Sequence, residues 1–359
     1  MSFRRLSTRL LLGIGDVPAS RDDFEVVGVF NPGAVRLGDG DDGEVLLLVR
    51  VAERPRERRA GFTGLPRWVP GSGMTVDWVA DSALDFVDPR VVKRKDDGLL
   101  RLTFISHLRL VRCGDGRGVR EVSNVTFSPE TDVEEFGVED PRITPIDGRY
   151  CVTYVAVSRH GPATALAWTD DFRTFSRTGV GFCPENKDVV LFPERVGGHY
   201  VALHRPVCGS AFTRPEIWTA RSPDAIHWGA HRPLDLGKTD WESGRVGAGA
   251  PPLRVAEGWL EIYHGNRKPT RPGGVGTYYG GAVLLDLNEP SKVLRRLPEP
   301  FLVPEADFEV NGFVPNVVFP TGVVRDDDTL LVYYGAADSA VAVAEFSERA
   351  LLDSMVEIA

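Results

Sequence analysis

The chain has 359 residues, a formal net charge of −9 and a hydrophobic share of 42%. Such an apolar share supports a sizeable core and excludes a disordered chain. The acidic balance argues against nucleic-acid and membrane-surface partners, while leaving room for a local basic pocket that takes a small anion.

The first residues, "MSFRRLSTRLLLGIGDVPAS", place arginines ahead of a short apolar stretch. "LLLGIG" is too short for a signal core, and no run approaches the roughly 18 apolar residues of a membrane span, so residues 1–25 read as an extension and the protein as cytoplasmic. Short apolar runs ending in turn residues then predict strands at 44–53, 98–111, 148–158, 198–207, 258–265 and 329–337. Between the first two, "RPRERRAGFTGLPRWVPGSG" (54–73) is basic, rich in Gly and Pro and aperiodic. It predicts a long loop over one face, a lid or a contact in a homo-oligomer. Near the end, "SERALLDSMVEI" (347–358) sets a Ser cap before apolar residues at helical spacing and predicts a terminal helix.

The strand starts recur about every fifty residues, and "ALAWTDDFRTF" (165–175) is echoed by "IWTARSPDAIHW" (217–228). Each reads as a strand, a tight turn on Thr/Ser-x-Asp and a further strand carrying a buried aromatic. With Gly 38 and Pro 26 marking turns, the expectation is an all-β fold. It is a single five-bladed β-propeller over 1–359 with a short C-terminal helix, in which the first and last strand runs close the ring. The cysteines at 113, 151, 183 and 208 have no CxxC spacing and read as buried free thiols. There is no HExxH, no nucleotide fingerprint and no GxSxG, so no metal, cofactor or serine nucleophile is expected.

Strand logic does not explain six polar or glycine-rich strand entries: 31–36, 106–110, 137–142, 186–193, 244–252 and 311–319. In a propeller these would ring one funnel. The densest, "GVEDPRIT" (137–144), sets Glu139, Asp140, Pro141 and Arg142 side by side. One reading is a structural ion pair in which Arg142 holds an acid. The other is a carboxyl fixed at a channel mouth, its pKa raised by a neighbouring acid so that it donates a proton. Pro141 biases Asp140 toward extended backbone, and alternation would aim one acid at the funnel and leave the other structural. Cations recur at other entries, and Arg50, Lys187, His204, Arg205, Arg245 and His264 together suggest a small anion site.

"FNPGAV", "GVEDPRIT", "NKDVVLFPE", "HRP", "GAGAPP", "YHG", "GAVLLDLNEP", "NVVF" and "YYGAAD" stand in the order found in glycoside hydrolase family 130, which the chain resembles from about Asn31 to Asp338. The resemblance implies a five-bladed propeller and a glycosyltransferase-type phosphorylase. Its reaction is inverting phosphorolysis of β-mannooligosaccharides to α-mannose 1-phosphate, with inorganic phosphate as co-substrate. Asp140 is then the general acid, acting through a hydroxyl of the bound mannose. Arg50, Arg142, Lys187, His264 and Tyr278 are the expected phosphate ligands, and Asn31, Asp188, His204, Arg205 and Asp338 the expected sugar ligands. Trp241 and Phe313 are candidates to stack on a sugar. Two alternatives stand beside this: a β-mannosidase in which Glu242, Glu305 or Glu309 activates water, and a sugar-binding propeller without catalysis.

Overall fold

In the computed structural model, residues 4–38, 43–207, 214–237, 239–269 and 274–358 are described; Cys208 lies outside them. The fold is all-β, with only short helices such as Asp307–Val310 and Glu348–Asp353. Its main strands form five antiparallel arrays. The first holds Phe24–Arg36, Val45–Pro55, Ile105–Arg112 and Glu121–Phe127, and the second Gly137–Ile146, Arg149–Ser158, Gly161–Thr169 and Ser176–Phe182. A single parallel pairing, Gly137 with Ser106, joins these two. The third runs Asn186–Leu191, Tyr200–Pro206, Trp218–Ser222 and Gly229–Pro233. The fourth is built on Arg245–Ala248, Trp259–Arg267, Thr277–Leu285 and Val293–Arg296. The fifth holds Val318–Asp326, Thr329–Ala336 and Ala340–Ser347, and takes Ser7–Leu12 as its outer strand.

The core lies between consecutive arrays. Leu46, Leu48 and Leu110 meet Ile143 and Val152, Cys151 and Leu166 meet Leu191 and Tyr200, and Val190 and Leu203 meet Val246 and Trp259. Leu260 and Leu284 meet Leu330 and Val332, and Leu331 and Val343 meet Val29 and Val49. Each array is thus apolar on both faces, which is why its strands read as near-continuous Val/Leu/Ile runs rather than alternating ones. Each fully buried side chain of this kind contributes roughly 1.5–3 kcal/mol.

Three arrays share a buried polar anchor. Glu134, Glu242 and Glu309 are fully buried, each the third residue of a one-turn helix entered through "TDVE", "TDWE" or "ADFE". Each accepts from backbone amides of the preceding turn, from a tyrosine hydroxyl (Tyr154, Tyr263 or Tyr334) and from an arginine. The arginines are Arg177 and Arg296 on outer strands and, for Glu309, Arg5 at 2.8 Å, just ahead of Ser7–Leu12. A buried carboxylate left with one partner fewer is costly. Arg5→Ala is therefore expected to lower stability by about 2 kcal/mol, read as a fall in the thermal midpoint.

Several expectations are corrected. Residues 54–73 are not a loop: Phe62–Val69 pairs with Gly73–Ala80 in a hairpin. It is held by arginines, with Arg67 and Arg101 on Asp77 and Arg59 over the Trp78 ring, so it shows no apolar period. The 98–111 run is two strands, Leu100–Leu102 and Ile105–Arg112, in different sheets. The helix at 347–358 spans only Glu348–Asp353, capped by Ser347, and Val356–Glu357 is a strand edge on the fourth array. The first and last strand runs lie in separate sheets, and it is Ser7–Leu12 that joins the last one. Cys113 and Cys151 are buried and free as expected, but Cys183 is exposed. The aromatics after the Asp turns, Phe175 and Trp228, are half-buried and precede their strands. Among the described residues no helix is long and apolar enough to cross a membrane.

Candidate active site

The first strands of three arrays carry the same irregularity. Pairing slips between Phe30 and Gly33, between Glu139 and Arg142, and between Lys187 and Val190. Inside each slip one residue is left-handed: Asn31 (φ 49°), Asp140 (φ 48°) and Asp188 (φ 57°). Asn and Asp tolerate this conformation better than other residues with a Cβ, and a bulge re-aims a side chain out of the ladder. Asp140 is therefore not extended, despite Pro141 behind it. Nor does strict alternation apply, because the bulge turns both Glu139 and Asp140 toward Arg50.

Arg50 is the clamp. Its Nη1 donates to Asp140 Oδ1 at 3.0 Å, its Nη2 to Glu139 Oε1 at 2.6 Å and its Nε to Ser106 Oγ at 3.1 Å, over the Phe30 ring. Asn31 Nδ2 adds a second bond to Asp140 Oδ1 at 2.8 Å. Arg142, expected to hold one of these acids, instead reaches Asp188 Oδ1 at 3.2 Å and the carbonyls of Asp140, Ala248 and Gly249. It is wholly buried and ties three arrays together beneath the site. Asp188 Oδ2 accepts from Arg205 Nε at 2.6 Å and lies 3.4 Å from His264 Nε2. Gly247 leaves space for that carboxylate: a Cβ there would stand 2.2 Å from Asp188 Oδ2.

Above these groups opens a cavity of about 530 Å³. Asn31, Arg50, Asp140, Lys187, Asp188, Arg205, Tyr278 and Asp338 line it, as do Arg245 and Phe313. Three expected ligands lie outside the lining. Arg142 and His264 sit behind the wall. His204 is buried between Asn186 and His231, at 3.0 Å from each. Burial and then His231 push its pKa down to about 3, so it acts as a neutral prop for the strand bearing Lys187. Trp241 is a core residue against Tyr263 and Tyr279, whereas Phe313 stands 47% exposed at the cavity. Glu242 and Glu309 are the buried anchors described above, and neither they nor Glu305 line the cavity; Glu185, at the rim, does.

The charges divide by role. Burial raises the Asp140 pKa, but Arg50, Arg142, Lys187 and the Asn31 bond outweigh it and leave it below its usual value. Asp188 is held far lower, because Arg205, His264 and Arg142 overcome its burial. The raised carboxyl is Asp338, pushed up to about 6 by burial, against Arg50 and Arg90 and with help from Asp140 and Glu139. The expectation of a raised pKa on Asp140 is thus corrected: Arg50 bonds it directly and Arg142 and Lys187 add their charge, while Arg90 Nη1 comes no nearer to Asp338 than 3.6 Å and two carboxylates oppose its ionisation. Among the described residues Lys187 and Arg245 have no carboxylate partner, and Arg205 Nη1 is buried without a hydrogen bond.

The Asp338 shift gives a prediction of definite sign. Its native pKa lies above the unfolded value of 3.8, so the native state holds the extra proton and the contribution is full at low pH. Stability relative to Asp338→Asn should fall as pH rises from 3.8 through about 6. Denaturant unfolding of both proteins across that window checks it.

Arg90, Glu185, Phe104 and Phe319 also line the cavity and were not singled out from sequence. Arg90 and Phe104 stand outside any motif, and "DPRVV" (88–92) reads as an ordinary turn, whereas Glu185 directly precedes "NKDVVLFPE" and Phe319 ends "NVVF", motifs that single out neither residue.

The family model for β-1,4-mannooligosaccharide phosphorylases, glycoside hydrolase family 130, matches residues 104–357. A β-1,2-mannobiose phosphorylase of Listeria innocua is 40% identical over 351 residues, 95% of either chain. A 1,2-β-oligomannan phosphorylase of Thermoanaerobacter is 40% identical over 67% of this chain and 78% of its own. The structure of the Listeria innocua enzyme with β-1,2-mannobiose superposes with a TM-score of 0.86 at 39% identity, covering 96% of each chain. A chain matched over most of its length at this identity shares more than a fold with these enzymes, and it belongs to glycoside hydrolase family 130.

Proposed function

We propose that this protein cleaves β-1,2-mannobiose and related β-mannosides with inorganic phosphate, releasing α-mannose 1-phosphate with inversion. The observation that carries this reading is the set of uncommitted cations in the cavity: Lys187, Arg245 and the buried Nη1 of Arg205, beside the Tyr278 hydroxyl. Inverting hydrolysis needs a carboxylate base and a water, whereas phosphate is already an anionic nucleophile and needs a cradle. Arginine forks and a lysine point charge suit it. Arg50, Arg142 and His264, also expected on phosphate, act here as supports that fix Asp140 and Asp188.

Asp140 is the proton donor in this reading. Asn31 and Arg50 both donate to its Oδ1, so the proton sits on Oδ2. It passes through a mannose hydroxyl to the glycosidic oxygen as that bond breaks and phosphate bonds to the anomeric carbon. Phosphate bound at Lys187 offsets a charge that holds the Asp140 pKa down, so the acid form grows when the nucleophile is in place. Asp338, Asn31 and Phe313 meet the mannose ring.

The array contacts support one propeller domain over 1–359. Phe24–Arg36 touches both Gly137–Ile146 and Val318–Asp326, Asn186–Leu191 touches Gly137–Ile146 and Arg245–Ala248, and Thr277–Leu285 touches Val318–Asp326. We infer five blades in that cyclic order. The free thiols of Cys113 and Cys151 support a reducing, cytoplasmic setting.

The test is substrate loss with and without phosphate. The reading expects mannose 1-phosphate from β-1,2-mannobiose only when phosphate is present. Equal cleavage in phosphate-free buffer would replace it with hydrolysis, with Glu185 as the rim carboxylate to examine, and turnover of β-1,4-mannobiose alone would move the linkage.

A further inference from the structure

Given the phosphorolytic reading, the cavity also indicates where the leaving sugar stands. The cradle residues come from the third and fourth arrays, and the contacts run in the cyclic order given above. The first array therefore lies across the cavity from the cradle. Inversion places nucleophile and leaving group in line on opposite faces of the anomeric carbon. The leaving mannose then falls toward the first array and the strands inserted in it, where Val27, Leu102 and Phe104 offer an apolar wall suited to the C–H face of a sugar.

One cation stands at that wall. Arg90 leads into Val91–Arg94 of the inserted sheet. Asp88 fixes it: Oδ1 accepts from the Arg90 amide at 2.7 Å and Oδ2 from Nη2 at 3.0 Å. The other arm, Nη1, approaches Asp338 Oδ2 at 3.6 Å, an ion pair too long for a strong hydrogen bond. Arg90 is thus a held fork with one arm aimed into the cavity and donor capacity to spare.

We propose that Arg90 binds the leaving sugar, donating from Nη1 to a hydroxyl of that sugar, and thereby selects the acceptor. Fixed by Asp88, the fork reads a hydroxyl at a set position, so a sugar presenting that group elsewhere is held less well.

The synthetic direction tests this, since donor and acceptor bind separately. With α-mannose 1-phosphate as donor and mannose as acceptor, Arg90→Ala should raise the acceptor KM at least about tenfold, the loss of one charge-assisted bond. The donor KM should stay within about twofold. Arg90→Lys keeps charge but loses the fork, should fall between, and carries the same test if Arg90→Ala does not fold. An unchanged acceptor KM would overturn the proposal. So would equal rises for donor and acceptor, which would mean that Arg90 acts only by holding Asp338. Failure of the underlying reading shows separately, as wild-type protein that makes no mannose 1-phosphate from mannobiose and phosphate.

Discussion

Asp140→Asn is expected to lower kcat for phosphorolysis by about a thousandfold or more, the scale of losing a positioned general acid. The change is nearly isosteric. The amide oxygen of the variant can take the place of Oδ1 and still accept from Asn31 and Arg50, and Glu139 still pairs with Arg50. Binding of mannobiose and the thermal midpoint should move little. A substrate whose leaving group needs no proton should recover much of the loss, because only proton delivery has been removed. Equal losses on both substrates would show that Asp140 holds the sugar rather than feeding a proton to it.

Lys187→Ala is the second large effect. It should raise the KM for phosphate by about ten- to a hundredfold, the worth of one charge-assisted contact in a partly desolvated site, with a smaller change in the KM for mannobiose. Lys187 has no carboxylate partner among the described residues, so its removal orphans no buried acid and the fold should survive. The same substitution removes a charge that holds the Asp140 pKa down. Because Asp140 must carry its proton to act, the alkaline limb of kcat/KM for mannobiose should accordingly move to higher pH. An unaltered phosphate KM would place the nucleophile away from this lysine.

Much of the fold was legible because each array is buried on both faces, so its strands announce themselves as apolar runs. The hairpin at 62–80 was not, since arginine–aspartate pairs and a stacked tryptophan hold it instead of a periodic apolar face. Ser7–Leu12 was missed as a strand because it is an outer edge and only partly buried. The repeated buried glutamates were present in the sequence as "TDVE", "TDWE" and "ADFE". Their meaning depends on tyrosine and arginine partners 20 or more residues away, and without those partners Glu242 and Glu309 read as possible catalytic bases.

The site itself was legible at the strand entries but not in its detail. Polar residues of the 31–36, 137–142, 186–193 and 244–252 entries line one cavity, whereas 106–110 stays out of it and 311–319 contributes only apolar side chains. What sequence spacing hides is the bulge: it sends Glu139 and Asp140 to one arginine and makes Arg142 a buried tie. Long-range electrostatics were equally hidden. Asp140 and Asp338 are carboxyls of one cavity with opposite shifts, and the difference lies in which cations the fold sets beside each.

A crystal structure of the protein with mannose and phosphate bound together tests the central claim most directly. The account predicts phosphate oxygens within hydrogen-bond distance of Lys187, Arg245 and Nη1 of Arg205, on the face of the anomeric carbon away from the Asp140-bound hydroxyl. Phosphate bound elsewhere, with a water held by Glu185 on that face, would contradict it.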